Sequence, residues 1–195
     1  MDICNTMSRK LPIGIQSFEK LRTGGYLYVD KTELVYRLAK AGIPCFLSRP
    51  RRFGKSLLLS TLEAYFLGKK DLFKGLAIER LEQDWLVYPV LHLDLNAEKY
   101  DSNERLTNLL ESQLEAWEAE YGVTEINRSY SIRFMTVIRR AYEQTGRRVV
   151  VLVDEYDKPM LRSFDNPELQ RDFRETLTAF YTVLKSADAY LQLVF

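Results

Sequence analysis

The run Val149-Val150-Val151-Leu152-Val153 most constrains what this chain can fold into. Its residues are consecutive, apolar and mostly β-branched, so neither side of the segment suits water. Such a strand belongs in a parallel sheet, with helical crossovers covering both faces. The run ends in Asp154-Glu155. Ligands of open α/β sheets bind beyond the carboxyl ends of the strands, where these two carboxylates fall.

Strands and helices alternate along the rest of the chain, which implies an α/β fold with a mainly parallel sheet. Gly24-Gly25 marks a turn before a short strand over 26–29. Asp30-Lys31-Thr32-Glu33 has the residues of a capping box, with the Asp30 oxygen on the N3 amide and Glu33 reaching back. The helix behind it runs to about Lys40 and stops at Gly42. Pro44 opens a buried strand over 43–47. Leu57, Leu58, Leu62 and Phe66 recur at helical spacing over about twelve residues, and Gly68 ends that helix. An irregular stretch leads to a second core strand over 88–95. Asp101 to Glu104 caps a helix whose apolar stripe is Leu106, Leu109, Leu110, Leu114 and Trp117. Another helix spans about 129–145. Asn166-Pro167 opens a third as N-cap and N1, reaching about Ser186, and 189–195 reads as one more strand.

The strand over 43–47 and the helix after it are joined by Ser48-Arg49-Pro50-Arg51-Arg52-Phe53-Gly54-Lys55-Ser56. Strand, tight loop and helix with Gly-Lys-Ser at the junction form a phosphate cradle of the Walker A type. Backbone N–H groups hold phosphate oxygens, the lysine neutralises β/γ charge and the hydroxyl ligates Mg²⁺. Arg49 stands where the pattern asks for glycine. A left-handed arginine would cost about 1–2 kcal/mol, and Pro50 biases Arg49 towards an extended conformation. The loop is therefore expected to cradle phosphate with Arg49 outside the left-handed region.

These motifs define the candidate site. Arg51, Arg52, Phe53, Gly54, Lys55, Ser56 and Leu57 are the candidate nucleotide-binding residues. Ser56 and Asp154 are the candidate magnesium ligands, Asp154 in the Walker B role. Glu155 is the candidate catalytic residue that positions and polarises an attacking water, with Lys55 as the second catalytic candidate. ATP and Mg²⁺ are the implied ligands.

Composition excludes other classes. With 195 residues and 46% apolar side chains, the chain is one domain, or one domain and a fragment, with an ample core. A formal charge of +1 leaves no whole-chain electrostatic footprint for nucleic acid. Cys4 lies in a polar tail and Cys45 in the expected buried strand, so no disulfide is expected. Reduced thiols, no signal peptide and no long apolar span point to the cytoplasm and away from a membrane. The lone histidine, His92, alternates with Leu91 and Leu93 and reads as a packed or edge imidazole, not a zinc ligand. Residues 1–10 lack a periodic pattern and are expected to be a disordered tail. The strand over 189–195 has nothing after it, so its sheet edge would be bare. The chain is expected to be truncated after its fourth core strand.

Leu11-Pro12-Ile13-Gly14-Ile15, Tyr28-Val29-Asp30-Lys31-Thr32, Arg49 to Ser56 and Asp154-Glu155-Tyr156-Asp157-Lys158-Pro159 resemble, in order, the motifs of the bacterial AAA-ATPase-like family. The resemblance covers about Leu11 to the C-terminus. It implies a three-layer P-loop NTPase fold over 11–195, of the class with an extra strand between the phosphate-loop and Walker B strands. That extra strand would be 190–195, with a polar sensor beyond its end. Tyr28-Val29-Asp30 falls where related NTPases place a segment near the adenine. Many family members also carry a C-terminal nuclease-like domain of the PD-(D/E)xK type.

Several readings stay open at this point. The chain is an ATP-binding module that hydrolyses Mg-ATP, a nucleotide-binding switch or scaffold with little or no hydrolysis, or an inactive truncated fragment of a larger ATPase-nuclease protein. A nucleic-acid enzyme using Asp154, Glu155 and Asp157 as a metal cluster is a further reading. The implied partners are ATP and a protein partner or second copy on the unfinished sheet edge. Nucleic acid enters only with a downstream nuclease domain.

Overall fold

The apolar run becomes the middle strand of a three-stranded parallel sheet in the computed structural model, which describes residues 10–50, 52–124 and 129–195. The strands are β1 (Val90–Asp94), β2 (Val149–Asp154) and β3 (Leu191–Val194), in the order β1-β2-β3. Residues 1–9, most of the expected tail, lie outside the described residues. Internal contacts divide the described residues into two units, one of those up to Gly42 with those of Leu47–Val87, the other of Ile43–Phe46 with those of Tyr88–Phe195.

The first unit is helical. Its elements are α1 (Phe18–Thr23), α2 (Thr32–Ala41), α3 (Lys55–Phe66) and α4 (Ile78–Leu81). Ser17 caps α1 by accepting the Lys20 N–H at 3.2 Å. Helix α2 ends at Gly42, whose φ of 63° is the left-handed stop expected from sequence. Helix α3 has the expected twelve residues and buries Leu59, Leu62, Tyr65 and Phe66. Phe73 links the aromatic core, with its ring 4.8 Å from Phe18 and 5.1 Å from Trp85. Buried Glu82 accepts from the Tyr65 hydroxyl, from Lys40 Nζ at 2.8 Å and from the Asp84 N–H at 3.0 Å. Burial pushes the Glu82 carboxyl up, but its Lys40 and Tyr65 partners outweigh burial and hold it below the usual range. Its contribution to stability is thus present above the ordinary carboxylate pKa and lost as pH falls through the lowered one.

Two local expectations are corrected in this unit. The strand over 26–29 reduces to one bridge between Lys10 and Tyr26, because no further backbone pairs with it among the described residues. The Asp30 box is a staple instead of a capping box. Asp30 Oδ1 accepts from the Thr32 N–H (2.8 Å) and hydroxyl (2.7 Å), while Oδ2 accepts from the Ala77 N–H at 2.7 Å. Thr32 Oγ1 in turn accepts the Ile78 N–H at 3.1 Å, so the pair caps the start of α4. Glu33 pairs with Arg37 one turn on and does not reach back.

The second unit holds the sheet and α5 (Asn103–Glu120), α6 (Tyr130–Thr145), α7 (Lys158–Arg162) and α8 (Pro167–Ser186). The register aligns Leu91 with Val151 and Asp94 with Asp154. Leu91, Leu93, Val149 and Val151 join one buried cluster with the apolar stripes of α5, α6 and α8. Its centre is an aromatic stack: Trp117 lies 5.5 Å from Phe134, and Phe134 lies 4.6 Å from Phe180. Val150 and Leu152 point to the opposite face and are buried as well, as the continuous apolar run requires. Asn166 caps α8 through the Leu169 N–H at 3.1 Å, with Pro167 in the first turn.

The segment 43–47 departs from expectation. It has no regular strand ladder, and Ile43 and Phe46 are 57% and 67% exposed, not buried. It does lie beside β3, since the Cys45 N–H donates to the Val194 carbonyl at 2.8 Å. Pro44 has no N–H to extend that pairing, and the segment lies at the rim of the sheet. Among the described residues, no helix is long and apolar enough to cross a membrane.

Candidate functional site

The expected phosphate loop lies in the first unit, where Arg52, Phe53, Gly54, Lys55, Ser56 and Leu57 fall together at the start of α3. Arg51 lies outside the described residues. Gly54 precedes the helix with φ 74° and ψ 24°. A Cβ added there would meet nothing within 4 Å, so the backbone angle, not crowding, calls for glycine. No side chain caps the first turn of α3, and Lys55, Ser56 and Leu57 are half-buried there. The forward-facing N–H groups and the positive end of the helix dipole suit an anion. Phe53 is exposed.

Among the described residues, positive φ outside glycine occurs at Arg52 (67°), Trp85 (45°) and Glu155 (52°). Arg49 is absent from that set, as the Pro50 argument expected. The loop instead places its left-handed arginine at position 52. Arg52→Gly removes a backbone penalty of about 1–2 kcal/mol while loosening the unfolded chain. It is expected to raise stability by up to about 1 kcal/mol in a denaturant titration. A loss of stability would mean that the Arg52 side chain contributes more than its backbone costs.

The carboxylates belong to the second unit, at the carboxyl end of β2. Asp154 and Glu155 are half-buried. By strand alternation Asp154 shares the face of Val150 and Leu152, away from the cluster formed with α5, α6 and α8. Its Oδ1 accepts the Glu155 N–H at 3.0 Å, and its carbonyl accepts the Leu95 N–H at 3.1 Å. Glu155 turns the chain sharply, and its left-handed φ costs about 1–3 kcal/mol. Tyr156, the next residue, sets its ring edge-on against Phe46, with centroids 5.2 Å apart. Burial, then the neighbouring Asp157, pushes the Tyr156 hydroxyl above its ordinary pKa.

Among the described residues, no group of three or more His, Cys, Asp or Glu side chains could hold a metal ion. The metal-cluster reading of Asp154, Glu155 and Asp157 therefore finds no support. A magnesium ion held by substrate phosphates needs only one or two protein ligands, so the Ser56 and Asp154 assignments are unaffected.

Three residues around the carboxylates were not singled out as site residues from sequence. Asp94 lies next to Asp154 in register. Asn96 follows it, its N–H donating to Asp94 Oδ1 at 2.7 Å. Lys158, which reads as part of a turn before Pro159, heads α7 and reaches Asn96. Pairing of the two apolar strands was the only sequence signal for Asp94, and none pointed to Asn96. Tyr28-Val29-Asp30 has structural work in the first unit. The Tyr28 ring lies edge-on to Phe18 at 5.2 Å, and the Asp30 carboxylate belongs to the α4 staple. Burial pushes Asp30 up, but the Thr32 and Ala77 donors outweigh it and hold its pKa below the usual range.

Comparison with known proteins identifies the family. The model of a family described as "Predicted AAA-ATPase" matches residues 12–195. Over 189 residues the chain is 43% identical to an uncharacterized protein in the vnfD 5' region of Azotobacter chroococcum mcd 1, covering 95% of this chain and 36% of that relative. The chain thus spans little more than a third of the length of the relative it matches. No solved structure matches it. A family match that spans nearly the whole chain fixes one conclusion: the chain belongs to the AAA-ATPase-like family.

Proposed function

We propose that residues 11–195 form one P-loop NTPase domain that binds Mg-ATP and hydrolyses it. The observation that carries this reading is the neighbourhood of the segment leading into the phosphate loop. Cys45 hydrogen-bonds to Val194 of β3, and Phe46 lies against Tyr156, just past the carboxyl end of β2. The segment 43–46 therefore runs towards the same end of the sheet as β2. One strand, β3, separates it from the carboxylate strand, as the P-loop class with an inserted strand requires. The segment 43–46 thus ends beside the carboxyl end of β2, where Asp154 and Glu155 stand, the usual ligand end of an open α/β sheet.

The donor set fits the ligands. The uncapped N–H groups of α3 and the Lys55 ammonium suit phosphate oxygens, and the Ser56 hydroxyl and Asp154 carboxylate are hard oxygen donors suited to magnesium. In this reading Gly54 lets the backbone approach the phosphates, and Lys55 neutralises the β/γ charge. Ser56 and Asp154 hold the magnesium shell, and Arg52 and Phe53 line the loop. Glu155 accepts a hydrogen bond from the attacking water and orients it in line with the γ-phosphorus. Bound magnesium supplies further neutralisation of the phosphate charge. Release of inorganic phosphate from ATP by the wild-type chain, with and without magnesium, tests the hydrolytic part. Magnesium-dependent release is expected, and background release under both conditions would overturn it.

A further inference from the structure

Lys158 is joined to the Glu155 turn at one end and to the loop after β1 at the other. Its N–H donates to the Glu155 carbonyl at 2.9 Å, closing the turn in which Glu155 is left-handed. Its ammonium donates to the Asn96 carbonyl at 2.6 Å and to Asn96 Oδ1 at 2.9 Å. It also stands 5.7 Å over the Tyr100 ring.

The far anchor is firm. Asn96 is tied to Asp94 through its N–H. The Tyr100 hydroxyl donates to the Leu95 carbonyl at 2.6 Å, and its ring lies edge-on to buried Phe173 at 5.9 Å. Burial, then the Asp94 and Glu98 charges, pushes the Tyr100 hydroxyl up, so it stays a neutral donor. Lys158 therefore links the turn after β2 to a segment pinned to the core of the same unit.

A left-handed glutamate persists only where its surroundings over-determine it. One hydrogen bond from its own N–H to Asp154 Oδ1 is a local restraint, and the Lys158 bridge is the longer one. We propose that Lys158 is a positioning residue. Its ammonium bridge to Asn96 holds the 154–158 turn so that the Glu155 carboxylate faces the attacking water. The proposal rests on the role given to Glu155 above.

The test uses the full 195-residue chain, its Lys158→Met and Lys158→Arg variants, ATP turnover, and amide hydrogen exchange. In Lys158→Met, kcat is expected to fall about 10- to 100-fold, with KM for ATP within about twofold. Amides of residues 155–158 are expected to exchange faster, while those of 149–153 keep their protection. Lys158→Arg retains donors that reach Asn96 and is expected to recover most of kcat. Unchanged kcat and exchange in Lys158→Met would overturn the proposal. A raised KM with unchanged kcat would also overturn it, placing Lys158 on the nucleotide. Absence of turnover in the wild type would sink the hydrolase reading and the positioning role together. Faster exchange at 155–158 in that case would mark the bridge as structural only.

Discussion

Glu155→Gln is expected to lower ATP turnover by about 10²–10⁴-fold while leaving ATP affinity within about threefold. The substitution keeps the size of the side chain and a carbonyl oxygen but removes the charge that would accept the proton of water. Gln at φ 52° meets the same backbone penalty as Glu, so the turn and its hydrogen bond to Asp154 Oδ1 should persist. In the proposed function, binding rests on residues 52–57 and Asp154, which the change leaves alone. Phosphate release and an ATP titration on the same preparation separate the two effects. Turnover equal to wild type would remove Glu155 from the chemistry. A parallel loss of affinity would instead make it a binding residue.

The second large effect concerns stability. Phe180 is fully buried, stacked on Phe134 at 4.6 Å and edge-on to Tyr181 at 5.4 Å. Phe180→Ala removes the ring from the junction of α6 and α8 and leaves a cavity between rigid helices. The expected cost is about 3–5 kcal/mol, read as a lower denaturant midpoint with an unchanged slope. That is a large share of the ~5–15 kcal/mol that holds a domain folded. Phe53→Ala, at an exposed position of the loop, is expected to stay within about 0.5 kcal/mol. Equal effects at the two positions would contradict the placement of the core.

The long elements were legible because their signals are local and repeated. Leu106, Leu110, Leu114 and Trp117 declare one face of α5 several times over, and Asn166-Pro167 fixes the start of α8 by its own chemistry. Helices α1, α4 and α7 have six, four and five residues, too few to show a helical period. The strand expected over 43–47 failed for another reason. Five apolar residues cannot tell a buried strand from a rim segment, and which one forms depends on neighbours distant in sequence. Asp30 to Glu33 illustrates the same limit: the cap residues are present, but Ala77 and Ile78 supply the donors.

The candidate site divides in the same way. Gly54-Lys55-Ser56 and Asp154-Glu155 are contiguous motifs, so residue order alone suggests their chemistry. Left-handed Arg52 and Glu155 could not be read, because neither residue type announces such a backbone angle. The Lys158 to Asn96 bridge joins positions 62 apart and exists only once β1 and β2 are paired.

The measurement that bears most directly on the account is a calorimetric titration of ATP, with magnesium, into the wild-type chain and Lys55→Ala. Lys55 is the first residue of α3, whose first turn has no side-chain cap, and in the proposed function its ammonium neutralises the β/γ-phosphates. One saturable site is expected in the wild type, weakened about 10- to 100-fold by Lys55→Ala, the scale of a lost hydrogen bond to a charged group. No saturable binding to the wild type, or equal affinity in both proteins, would contradict a phosphate loop centred on Lys55.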